Sequence, residues 1–202
     1  MRYLPAVLVL AVLTAGCGSD SSKTEKKVEK PLEPLTGRQA FQQAFPQARG
    51  WAPDAQPMQI KSILLEGVKA APGKAGAWQM TFVSPGRSRI KTYTWSSIEA
   101  EGNLHKGVFA GPDESWSGPR GQEQPFLVQA IKIDSDDAYE AAAKKSADYI
   151  KKNPNKPVTF IAEWVKRFPN AAWRVVWGES VGTSDYSVYV DAATGELLEK
   201  TH

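Results

Sequence analysis

The stretch Tyr186-Ser187-Val188-Tyr189-Val190-Asp191-Ala192-Ala193-Thr194-Gly195-Glu196-Leu197-Leu198 reads as a strand, a turn and a returning strand. Side chains alternate along a strand, so Tyr186, Val188 and Val190 share one face and Tyr189 takes the other. Thr194-Gly195 closes the turn, where glycine reaches positive φ at little steric cost. An isolated hairpin is marginal in water, so the rest of the chain must supply a layer that covers its apolar face. It does so twice.

Working outward, Ala172-Trp173-Arg174-Val175-Val176-Trp177 alternates with period two and places Trp173, Val175 and Trp177 on one face. Before it come the strand-like run Val158 to Phe168, a break marked by Pro154 and Pro157, and a helix capped by Asp134-Ser135-Asp136-Asp137. That helix carries Ala138, Tyr139, Ala142 and Ala143 on its apolar stripe, and its pattern runs to about Lys152.

The same order occurs about 95 residues earlier. Thr36-Gly37-Arg38-Gln39 is a capping box, and Ala40, Phe41, Ala44 and Phe45 form a helical stripe after it. Pro53 and Pro57 mark the break, and Gln59 to Val68 is the first strand-like run. Ala77-Trp78-Gln79-Met80-Thr81-Phe82-Val83 matches the aromatic strand, the turn is Ser84-Pro85-Gly86-Arg87, and Ile90 to Trp95 is the next strand. This recurrence predicts an α+β fold of two tandem units, residues 36–110 and 125–202, each with one helix on a small antiparallel sheet. Residues 111–124 are rich in Gly, Pro and Ser and read as the linker between the units. Phe126 to Ile133 alternates and reads as an extra strand leading into the second helix.

At the start of the chain, Arg2, the apolar run Leu4 to Leu13 and Thr14-Ala15-Gly16 read as a signal peptide, residues 1–16, too short to span a bilayer. Leu13-Thr14-Ala15-Gly16-Cys17 resembles the lipobox of bacterial lipoproteins, and Cys17 is the only cysteine in the chain. The resemblance implies lipid on Cys17 and attachment to a membrane. Gly18 stands where bacteria that sort by this position place Asp for inner-membrane retention, so the resemblance points to the outer membrane. Residues 17–35 read as a flexible tether, with four lysines balanced by four acids and little to bury.

The second copy, from Ser135-Asp136-Asp137-Ala138 through Trp173-Arg174-Val175-Val176-Trp177-Gly178 to Val190-Asp191-Ala192-Ala193-Thr194-Gly195-Glu196, resembles a PepSY domain. The Val-Asp-Ala-x-Thr-Gly-Glu ending is its most specific part. The first copy departs from the pattern, with Trp95-Ser96-Ser97 where Asp191-Ala192-Ala193 would stand. The resemblance implies a helix packed on an antiparallel sheet, a place among metallopeptidase propeptides and envelope proteins, and restraint of a peptidase as a role. It brings no catalytic residues.

The residues themselves offer little chemistry. A formal charge of +3 on 202 residues is too small for an electrostatic grip on nucleic acid. His105 and His202 lie at no ligand spacing from a carboxylate or thiol, so no metal site is expected. Asp134, Asp136 and Asp137 lack the glycine and distal glutamate of a calcium loop and read as helix caps. Asp191 reads as an acceptor for the N–H groups of its own turn. No catalytic constellation or cofactor-binding loop is recognisable.

Seven Trp are the unusual feature. Trp78, Trp173 and Trp177 fit strand faces and read as core, whereas Trp51 and Trp116 fall in Pro-rich, loop-like contexts and are the candidates for partner contact. The expected protein is therefore not an enzyme but an envelope lipoprotein that binds a protein, with peptidase restraint implied by the resemblance. The alternatives are a structural or assembly lipoprotein and a carrier of a small apolar ligand. An open apolar cavity would favour the carrier, and a filled core beside exposed Trp51 or Trp116 would favour protein contact.

Overall fold

A computed structural model describes residues 32–69, 71–121 and 123–201. The signal peptide, Cys17 and His202 lie outside the described residues. Strand β1 (Leu35–Thr36) leads into helix α1 (Gly37–Trp51), followed by β2 (Gln56–Ile63), β3 (Lys74–Ala75), β4 (Ala77–Ser84), β5 (Arg89–Ser96) and β6 (Gly107–Ser115). The chain continues through β7 (Glu123–Gln124), helices α2 (Ser135–Lys145) and α3 (Ala147–Lys152), and strands β8 (Val158–Val165), β9 (Ala172–Trp177), β10 (Ser187–Asp191) and β11 (Leu197–Thr201).

The fold is α+β and mostly antiparallel sheet. Its main sheet runs β11-β10-β9-β8-β2-β4-β5-β6, with β7 pairing on β8 beyond the residues of β8 that pair with β2. The two central strands meet antiparallel through Gln59↔Glu163, Ile60↔Ala162 and Lys61↔Ile161. One face carries the helices. Ala40, Phe41, Ala44 and Ala48 of α1 and Ala138 and Ala142 of α2 share a single core with Trp78, Met80, Trp173, Val175 and Val188.

Both helices start where their capping residues predict. Thr36 Oγ1 accepts from Gln39 N, and Gln39 Oε1 accepts from Thr36 N at 3.1 Å. Asp134 caps α2 in the same reciprocal way with Asp137. The core closes over both N-termini. Trp78 Nε1 donates to Leu35 O at 2.9 Å and Trp173 Nε1 to Ile133 O at 3.2 Å, so each indole is tied to the residue before a helix cap. The two rings meet edge to face at 6.4 Å.

Several expectations are corrected. Residues 32–35 of the expected tether belong to the fold: Leu32 N donates to Ser97 O at 2.9 Å, and Leu35 pairs with Ala75. Residues 111–115 of the expected linker continue the edge strand β6. The pairing register shifts opposite Gly111-Pro112, so the proline falls where the ladder needs no N–H. The first strand-like run starts earlier and ends earlier than expected, as β2 at Gln56–Ile63, and the second shortens to β8. Phe126 to Ile133 is not a strand; it is an extended crossing whose 3-10 turn at Val128–Ala130 breaks the alternation and brings Phe126 and Ile131, which strict alternation would set on opposite faces, into the same core. The second helix is broken at Ser146, whose Oγ donates to Ala142 O at 2.7 Å and also bonds Tyr186 OH at 2.9 Å, drawing the backbone out of helical geometry.

Candidate functional site

Trp51 and Trp116 come together at one end of the sheet. Trp51 ends α1 and Trp116 follows β6, yet both attach to the turn between β4 and β5. Arg87 of that turn donates to Trp51 O and holds its guanidinium 5.9 Å from the Trp51 ring. Trp116 N donates to Ser88 O at 2.9 Å. Both indoles are half-buried, less exposed than their loop-like contexts predict.

Two carboxylates brace this end. Asp54 accepts from Ser84 Oγ at 2.6 Å and Gly86 N at 2.7 Å, and those bonds hold its carboxyl below the usual range. Asp113 is lowered chiefly by Arg89, whose Nε lies 2.9 Å away. The end of the sheet thus presents two half-buried tryptophans among arginines and ionised carboxylates.

The other residues singled out in the sequence are occupied locally. Asp191 accepts from Ala193 N at 2.7 Å, Thr194 N at 2.9 Å and Asn170 Nδ2 at 3.1 Å, closing its turn. Asp134 does more than cap its own helix: Oδ1 accepts from both Ser135 N and Arg38 N, at 2.7 and 2.9 Å. His105 meets Glu99 at 2.5 Å on the surface. Among the described residues no three His, Cys, Asp or Glu side chains cluster as metal ligands.

The space between helices and sheet is filled by Trp78, Trp95, Trp173 and Trp177, all essentially buried. Depressions open instead at the surface beside residues 126–131. Two of them, of about 170 and 400 Å³, share Phe45 and Val128 along the flank of α1. A third, of about 150 Å³, lies beyond Leu127 against Trp164 and Pro169.

Sequence reasoning missed Glu163. It lies on the sheet face without helices and is only 8% exposed, with Tyr189 OH at 3.3 Å and Gln59 Nε2 at 3.5 Å. Burial pushes its carboxyl up, Arg174 opposes that shift, and Glu123 adds to it. The available signal was a lone acid among the alternating Thr159, Ile161 and Val165. A carboxyl raised in the folded state favours folding below its unfolded pKa, and this contribution is lost as pH rises through the folded value. Glu163→Gln is therefore expected to raise Tm at neutral pH by a few degrees, with the gain vanishing towards about pH 4. Thermal melts of both proteins across that range check it; a gain independent of pH would contradict it.

The class that this geometry defines is an α+β protein with one antiparallel sheet, helices on one face and two half-buried tryptophans at one end. No protein-family model matches the chain, and no curated protein is similar to it. Among solved structures, a crystal structure of a candidate lipoprotein from Clostridium difficile 630 is similar to it, with a TM-score of 0.52 and 11% identity, over 86% of this chain and 95% of that one. At that identity the likeness is one of fold. No helix among the described residues is long and apolar enough to cross a membrane.

Proposed function

We propose that this chain is a non-catalytic lipoprotein of the bacterial envelope, held to the outer membrane by lipid on Cys17, that binds a protein partner. The partner class is a peptidase, which the protein restrains. The observation that carries partner binding is the convergence of Trp51 and Trp116 on the β4–β5 turn, since half-buried tryptophans beside arginines are the side chains on which interface energy concentrates. The filled core supports protein contact over a ligand carrier. The peptidase comes from the PepSY resemblance, and the lipid anchor from the lipobox resemblance, in accord with the description of the similar solved structure.

The two-unit reading belongs to the same proposal. Helix, β2, β4, β5 and β6 correspond in order to helix, β8, β9, β10 and β11, and the quartets meet at equivalent strands. The Trp78 and Trp173 indoles bind equivalent carbonyls. Ser97 N to Gly76 O and Ala192 N to Ala171 O are a second matched pair of hydrogen bonds.

The test is photocrosslinking from positions 51 and 116 in intact envelopes, with the captured protein identified by mass spectrometry. Recovery of a peptidase whose cleavage slows when purified full-length protein is added is the expected result. Recovery of assembly or wall proteins alone, with cleavage unchanged, would overturn the peptidase part in favour of a structural lipoprotein.

A further inference from the structure

Residues 126–131 cross the helical side of the molecule as a strap held at both ends. Phe126 N donates to Pro57 O at 2.9 Å, and Lys132 N and Ile133 N donate to Ala192 O at 2.8 and 3.0 Å. Phe126 and Ile131 are sunk in the core, but Leu127 is 57% exposed, the most exposed large hydrophobic side chain among the described residues. A single exposed leucine is ordinary. Leu127 differs because it forms a ridge between the groove along α1 on one side and the depression against Trp164 and Pro169 on the other.

The charges beside this relief have one sign to spare. Arg38 stands at one end of the groove and Arg49 at the other. The acid of the groove, Asp54, keeps its charge while its oxygens accept from Ser84 Oγ and Gly86 N, so the groove carries two cations against one anion. Arg38 donates to Lys132 O, which satisfies one N–H and leaves its charge uncompensated, and Arg49 is exposed and meets no carboxylate among the described residues. An apolar floor between two cations favours an apolar occupant that brings carboxylates.

We propose that the groove and ridge at residues 126–131 receive an apolar, acid-bearing peptide segment of a partner protein. A second copy of this chain seated by two-fold symmetry would place arginine-bearing surfaces against each other, which costs rather than gains. A bilayer presents a plane and leaves both depressions unfilled. The proposal rests on the protein-binding reading and adds to it a second surface with its own chemistry, apart from Trp51 and Trp116.

The experiment is selection from a displayed random-peptide library against the full-length protein in detergent, in parallel with Leu127→Ser and Arg49→Glu variants whose unchanged Tm certifies their folding. Enriched peptides combine leucine or aromatic residues with glutamate or aspartate. They lose about tenfold in affinity on Arg49→Glu, equivalent to about 1.4 kcal/mol, and weaken on Leu127→Ser. Selection against Arg49→Glu enriches lysine or arginine instead. No enrichment, affinities unmoved by either substitution, or substitution-sensitive binding to phosphatidylglycerol vesicles in place of peptides would each overturn the proposal. These readouts stand apart from crosslinking at positions 51 and 116, so loss of one leaves the other interpretable.

Discussion

Trp173→Ala is expected to destabilise the protein by about 4 kcal/mol, within the range for truncating a buried aromatic side chain, and to lower Tm by about 10 °C. Trp173 is fully buried and packs edge to face on Trp78, so its removal leaves a cavity at the centre of the molecule. It also leaves Ile133 O without the indole donor, beside the cap of α2. The same contact is tested from the opposite side by Gly37. A Cβ there would overlap the edge of the Trp173 ring at Cη2 and lie 3.2 Å from Trp78 Cη2. On helix propensity alone Gly37→Ala should stabilise α1 by about 1 kcal/mol, whereas overpacking of this kind costs about 1–3 kcal/mol. The substitution is expected to destabilise, and urea denaturation followed by circular dichroism decides the sign. A stabilised Gly37→Ala protein would contradict the packing.

Asp134→Ala is expected to cost about 3 kcal/mol, because one carboxylate serves two helices. Oδ1 accepts from Ser135 N of α2 and Arg38 N of α1, and Oδ2 accepts from Thr36 Oγ1 at 2.5 Å. By giving its proton to Asp134, Thr36 keeps a lone pair for Gln39 N and so remains a cap. The charge faces the positive ends of both helix dipoles. Loss of a cap is worth about 1 kcal/mol per helix, and a hydrogen bond to a charged group about 1.5–3 kcal/mol. Asp134→Asn keeps one carbonyl oxygen for the backbone N–H groups and is expected to lose about half as much. The check is the urea midpoint of the three proteins at equal m-value. An Asp134→Ala loss no larger than that of one ordinary cap would show that α1 does not depend on it.

Most of the candidate site was beyond sequence reasoning because it depends on distant residues. Trp51 and Trp116 were legible as aromatics outside strands, but their meeting at the β4–β5 turn required β6 to continue through Gly111-Pro112 as an edge strand. Leu127 reads as part of a strand because alternation over Phe126 to Ala130 looks the same whether a segment is hydrogen-bonded in a sheet or strapped across a core, and only the 3-10 turn at Val128–Ala130 brings Ile131 to the side of Phe126. Glu163 was passed over because an acid in a strand is ordinarily solvated, and only its neighbours on adjacent strands bury it.

The sequence by itself determined the local elements: both helix caps, the period-two strands with Trp78 and Trp173 on their inner faces, and the Asp191 to Gly195 turn. Each rests on interactions within a few residues. Tertiary structure alone decided that β2 and β8 join at the centre of one sheet, that Asp134 reaches across to α1, and that Gly37 admits the Trp173 ring. These contacts join residues about a hundred or more positions apart, where no local propensity acts and mutual packing and hydrogen-bond satisfaction choose the partner.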